Sequence, residues 1–78
     1  MKSEQKIQSD IKSFLESKGA YVVKVAQATK AGVPDLLVCY KRLFIGIEVK
    51  RPSTKTNVSK LQVHNLNLIR AAEGTAIV

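Results

Sequence analysis

Apolar residues recur at helical spacing near the start of the chain. Ile7, Ile11, Phe14 and Leu15 share one face of a helix expected over about residues 3–18. Ser3 is a suitable N-cap, and Gly19 ends the run. Ala20-Tyr21-Val22-Val23-Lys24-Val25 then reads as a short β segment, and residues 27–34 form a polar loop punctuated by Gly32 and Pro34. Leu36-Leu37-Val38-Cys39-Tyr40 has the pattern of a buried strand, and Lys41-Arg42 that of a turn. Leu43 to Lys50 is the second arm of a hairpin. Beyond a loop from Arg51 to Asn57, Ser59-Lys60-Leu61-Gln62 has the S-x-x-Q form of a capping box and opens a helix to about Ala72. Val58, Leu61, Leu68, Ile69 and Ala72 supply the apolar face expected of that helix. Gly74 stops it, and Thr75-Ala76-Ile77-Val78 makes a final strand. The order α-β-β-β-α-β predicts an α/β fold with a mixed four-stranded sheet flanked by helices. A right-handed crossover through the second helix lays the last strand parallel to the third.

Side chains alternate across a strand, so Ile45, Ile47 and Val49 point one way while Phe44, Gly46, Glu48 and Lys50 point the other. Glu48 and Lys50 then project from one face, about 7 Å apart along the strand. A turn at Lys41-Arg42 pairs the start of one arm with the end of the other, which brings Asp35 beside Glu48 and Lys50. Two adjacent carboxylates raise each other's pKa unless a cation intervenes. A hard divalent ion such as Mg²⁺ suits one or two carboxylates together with waters and phosphate oxygens. The chemistry implied is metal-assisted phosphodiester hydrolysis. A P-D followed by [D/E]-x-K is weak by itself, because average usage yields it in roughly one chain in a few tens. Its placement says more, since Asp35 follows a Gly-Val-Pro loop at a strand start and Glu48-x-Lys50 ends the adjacent strand.

Glu4 adds to the pattern. It falls about 35° from the centre of the first helix's apolar face, against about 85° for Asp10 and 155° for Glu16. Two readings stand: an acid leaning toward the sheet end, or a first-turn acid complementing the helix dipole. Gln62 likewise is either the capping partner of Ser59 or a residue that reaches the site. His64 reads as a partly exposed flank residue and Cys39 as a small core residue. Tyr21, Tyr40, Phe14 and Phe44 are too few and too scattered for a base-stacking platform.

Charge narrows the partner. Thirteen Lys and Arg against six Asp and Glu give a net +7 over 78 residues, with the excess in the last two-thirds. A surface this basic favours an anionic partner, and nucleic acid is the commonest. Lys24, Lys30, Arg51, Lys55 and Lys60 lie on loops or element ends around the expected site and are the candidate phosphate contacts. One cysteine excludes an internal disulfide, and with a single histidine it cannot build a structural zinc site. No apolar run approaches a membrane span and the N-terminus lacks a signal-peptide core, so a cytoplasmic location is expected. The length matches one small domain, 1–78, near the limit of independent stability. That limit and two open sheet edges make a homodimer the expected state.

The string Glu4…Gly32-Val33-Pro34-Asp35…Gly46-Ile47-Glu48-Val49-Lys50…Ser59-Lys60-Leu61-Gln62 resembles the VRR-NUC domain, the virus-type replication-repair branch of the PD-(D/E)xK nuclease superfamily. The resemblance covers nearly the whole chain. It implies a restriction-endonuclease-like αβββαβ core, with Asp35, Glu48 and the Val49 carbonyl as ligands of Mg²⁺ or Mn²⁺. It further implies Lys50 as the catalytic lysine, Glu4 as the first-helix acid and Gln62 as an additional site residue. Stand-alone members are similar to archaeal Holliday-junction resolvases, which act as dimers, and a bacterial or phage-infected cell is the setting implied. The expected function is a metal-dependent DNA endonuclease acting on branched or junction DNA. The alternatives are a non-catalytic nucleic-acid-binding module of the same fold, and a subunit active only with a partner.

Overall fold

The computed structural model describes residues 3–51 and 58–78. Helix α1 spans Glu4–Ser17, and strands β1, β2 and β3 span Tyr21–Lys24, Leu36–Tyr40 and Leu43–Ile47. Helix α2 spans Lys60–Ala71 and strand β4 Thr75–Ile77. The sheet order is β1-β2-β3-β4, with β1, β2 and β3 antiparallel in turn and β4 parallel to β3. This is the αβββαβ order and the mixed, helix-flanked sheet that the sequence pattern predicts.

Local chemistry sets the ends of each element. Ser3 caps α1 by accepting the Lys6 N–H, and Ser59 caps α2 within a complete capping box. Lys41 and Arg42 form the two-residue turn between β2 and β3, both with positive φ (46° and 73°). Such turns match the right-handed twist of the strands but favour Asn-Gly, so this pair carries some backbone strain. The turn sets the register Leu36↔Ile47 and Val38↔Ile45.

The two faces of the sheet carry different cargo. Val22, Leu36, Val38, Ile47 and Val49 form the core, with Ile7, Ile11 and Leu15 of α1 packed against it. On the opposite face Gly46 meets Ile69 of α2 and Pro34, so tightly that an added Cβ would lie 2.7 Å from the Ile69 side chain. β3 is therefore divided as its alternation predicts. Pairing also continues past Ile47, because the Glu48 N–H donates to the Ile77 carbonyl at 2.9 Å.

Helix α2 departs from the expected face. Leu66 is buried at 2% exposure, while Leu61 and Leu68 stand 47% and 44% exposed. Ala72 is also exposed. The buried stripe runs through Gln62, Asn65, Leu66 and Ile69, rotated toward polar residues. These polar side chains tolerate burial because they find partners. Asn65 donates to the Ala31 carbonyl at 3.0 Å and to the Leu61 carbonyl at 2.9 Å. Cys39, expected in the core, is exposed. At the sheet edge the Arg70 guanidinium donates to the Ala76 carbonyl at 2.9 Å.

Gly32 lets the loop before β2 approach α2. Its φ is +81°, and a Cβ there would lie 2.7 Å from Leu61 Cγ and 2.9 Å from the Leu61 carbonyl oxygen. Gly19 also has positive φ (+92°) but open space around it. Gly32→Ala is expected to cost about 2–4 kcal/mol, combining backbone strain with overpacking, and Gly19→Ala about 1 kcal/mol. Urea unfolding of both variants checks this. Equal costs would mean the loop and helix are not in contact.

Candidate functional site

The end of the sheet distal to the Lys41-Arg42 turn gathers the charged residues. Asp35 immediately precedes β2, and Glu48 follows β3 across the Leu36↔Ile47 pair. The Asp35 carboxylate accepts the Val49 N–H at 2.8 Å through Oδ2, and so braces the peptide that follows Glu48. Val49 buries its side chain in the core while its amide serves Asp35. Lys50 stands with its Nζ 3.8 Å from Glu48 Oε2, its side chain 15% exposed.

Glu48 is the unusual residue. Its side chain is 2% exposed, in a class that is almost never buried without pairing. Oε2 accepts from Gln62 Nε2 at 3.0 Å and faces Lys50, whereas Oε1 is buried with no hydrogen-bond partner. Burial first, then the side-chain hydrogen bond with Asp35 and that residue's negative charge, raise the Glu48 carboxyl from 4.5 to about 7, with Lys50 lowering it and Glu4 raising it. A protonated Glu48 can donate to Asp35, whereas two ionised carboxylates held together need a cation.

Glu4 projects from the first turn of α1 and accepts the Arg51 N–H at 3.4 Å through Oε2. It thus sits at the helix start and reaches the site from there, so both of its expected roles are compatible with its position. Gln62 also combines its two readings, closing the capping box through Oε1 and donating to Glu48 through Nε2.

The donor chemistry fits a hard divalent ion. Asp35 and Glu48 offer two neighbouring carboxylates, one with an oxygen that no donor meets. Among the described residues no three His, Cys, Asp or Glu side chains are grouped closely enough to enclose an ion. Mg²⁺ keeps several waters and takes one or two carboxylates, so this sparse set suits it. Asp35, Glu48 and the Val49 carbonyl would hold the ion.

The candidate phosphate contacts divide. Lys24 ends β1 opposite Leu36, Lys60 opens α2 two residues before Gln62, and Arg51 follows Lys50, so each stands within two residues of a site residue along the chain or across the sheet. Lys30 lies apart, in a cleft of about 550 Å³ with Arg42, Phe44 and Leu68. Lys55 lies outside the described residues. His64 is exposed, as expected. The site itself borders a second groove of about 540 Å³, whose walls include Glu48, Lys50, Ile7, Phe14 and Ile77.

Two buried polar residues lie outside the sequence pattern. Asn65 ties the loop before Asp35 to α2, and Gln8 is buried on α1 one turn after Glu4, with no role at the site assigned to it. Each is a polar residue that falls between the apolar positions of its helix face. No helix among the described residues is long and apolar enough to cross a membrane. Compared with models of known protein families, with curated proteins and with solved structures, the chain matches none.

The Glu48 shift has a consequence for stability. A carboxyl at 4.5 when unfolded and about 7 when folded contributes stability that is fully present below pH 4.5 and lost as pH rises through 7. The metal-free protein should therefore unfold at lower urea at pH 8 than at pH 5. Glu48→Gln, neutral throughout, should flatten that difference. An unchanged pH dependence in this variant would assign it to another group.

Proposed function

We propose that this protein is a Mg²⁺- or Mn²⁺-dependent DNA endonuclease whose substrate is branched or junction DNA, as its resemblance to the VRR-NUC domain implies. One observation carries the reading. Glu48 is buried beside Asp35 with an oxygen that meets no donor among the described residues. Burying a carboxylate in that state costs stability, and a structural role gives no return for it.

In this reading Asp35 and Glu48 hold the ion together with the Val49 carbonyl. When bound, the ion supplies an activated water and offsets charge on the phosphate. Lys50 holds its ammonium beside Glu48, where it can donate to a scissile phosphate oxygen or to the attacking water. Glu4 adds negative charge next to Glu48 and anchors the Arg51 amide. Lys24, Arg51 and Lys60 contact the DNA backbone beside the site, with Lys30 and Lys55 as further candidate phosphate contacts. Val49 braces Asp35 through its amide, which keeps the two carboxylates in fixed relation.

The proposed partner besides DNA is a second copy of the chain. Phe44 and Leu68, 47% and 44% exposed, wall the 550 Å³ cleft between β3 and α2. Arg42 and Glu73 line the same cleft and enter no ion pair among the described residues. A two-fold interface needs a self-complementary surface, and opposite charges beside one apolar patch provide it. Two sites on paired copies suit a junction, whose strands are themselves paired.

Asp35→Asn and Glu48→Gln should each abolish metal-dependent nicking of flapped and four-way DNA, with DNA binding retained or tightened. Lys50→Ala should lose cleavage yet still bind Mn²⁺. Nicking by either carboxylate variant at the parent rate would remove the nuclease reading. Lys60→Ala and Arg51→Ala should each flatten the slope of log K against log salt by about 0.9 on duplex DNA. For the second copy, light scattering at micromolar protein should give a dimer, and Leu68→Glu a folded monomer. A monomeric parent, free and DNA-bound, would refute paired incision.

A further inference from the structure

We infer that Ser59 is a positioning residue, whose backbone N–H orients the Gln62 carboxamide so that its NH₂ group clamps Glu48 Oε2 and reserves Oε1 for a cation. The clamp is a chain of three bonds. Ser59 N–H donates to Gln62 Oε1 at 2.9 Å, Gln62 N–H donates to Ser59 Oγ at 3.1 Å, and Gln62 Nε2 donates to Glu48 Oε2 at 3.0 Å.

A free carboxamide can turn either end toward a neighbour. Turned over, Gln62 would present its carbonyl oxygen to a carboxylate. Ser59 N–H is a donor only, so it selects the orientation that leaves NH₂ for Glu48. Residue choice at this position has the same logic. Glu closes a capping box as well as Gln does, but it has no N–H to give. Met or Leu could do neither task. Gln is the capping residue that also serves a carboxylate.

The effect on Glu48 is asymmetric. Both donors that approach the carboxylate among the described residues, Gln62 Nε2 and Lys50 Nζ, meet Oε2. Oε1 is left buried with no donor among the described residues. The carboxylate is thereby pinned at one oxygen and available at the other. A simple helix cap explains the first two bonds of the chain but not the third. The naming of the cation rests on the nuclease reading, while the clamp itself does not.

The test uses the full chain and Mn²⁺ alone, followed by paramagnetic resonance of the free ion. Gln62→Met should weaken Mn²⁺ binding ten- to a hundred-fold, the range for partners that orient metal ligands. Ser59→Pro suits the observed φ of −69° and removes the N–H. It should weaken binding as much as Gln62→Met does, whereas Ser59→Ala, which keeps the N–H, should lose less. The double variant Ser59→Pro/Gln62→Met should bind no worse than Gln62→Met, because Ser59 acts only through Gln62. Additive losses, or Ser59→Ala losing as much as Ser59→Pro, would overturn the proposal. One measurement depends on neither metal nor variants. In labelled parent protein, a scalar coupling across the hydrogen bond from Ser59 N to Gln62 Cδ is expected, and its absence would overturn the clamp. A parent that shows the coupling but binds no Mn²⁺ would sustain the amide orientation and refute the reserved cation oxygen along with the nuclease reading.

Discussion

The register of β2 against β3 governs the whole arrangement. With Leu36 opposite Ile47, Asp35 and Glu48 become neighbours at the end of the hairpin, and the Asp35 carboxylate reaches the Val49 amide. A slip of one residue would turn Glu48 toward the α1 face and move Val49 out of the core. The apolar side chains of Ile45, Ile47 and Val49 therefore protect the position of a charged residue that lies on the other face. Core packing and site geometry are one constraint here, enforced by a two-residue turn at the far end of the strands.

Around that hairpin the second helix acts as a lining more than as a hydrophobic lid. Its inward stripe includes Gln62 and Asn65, one bonded to Glu48 and the other to the Ala31 carbonyl. Through these two amides α2 grips both segments that carry the carboxylates. The bonds offset part of the cost of burying polar groups, and Glu48 Oε1 is an exception among the described residues. The exception coincides with the carboxyl whose pKa is pushed furthest from its ordinary value, to about 7. Burial, like charge and an unmet acceptor converge on one side chain.

How much of this could be read from the chain alone depended on the kind of force involved. The element order, both N-caps, the Lys41-Arg42 turn and the division of β3 into two faces follow from period, capping chemistry and loop length, which are local. Asp35 beside Glu48 followed from the hairpin, since a tight turn converts sequence distance into pairing. The orientation of α2 did not follow. Hydrophobicity marks Leu61 and Leu68 as inward, whereas Gln62 and Asn65 occupy that side because partners from β3 and the preceding loop satisfy them. Those partners lie 14 and 34 residues away in sequence, so no local pattern encodes them. Lys30 shows the same limit, since where a loop cation settles depends on the helix that the loop packs against.

The Arg70–Ala76 bond bears on assembly in a different way. Ala76 turns its carbonyl away from β3, toward the outer margin of the sheet, and the guanidinium occupies it. Strand-by-strand growth needs two competent margins on every molecule, one to offer and one to receive. Here the β4 margin has its Ala76 acceptor taken by a side chain of the same molecule, which weakens that margin as a template. The fold thus discourages the strand-by-strand repeat on which a fibre would depend.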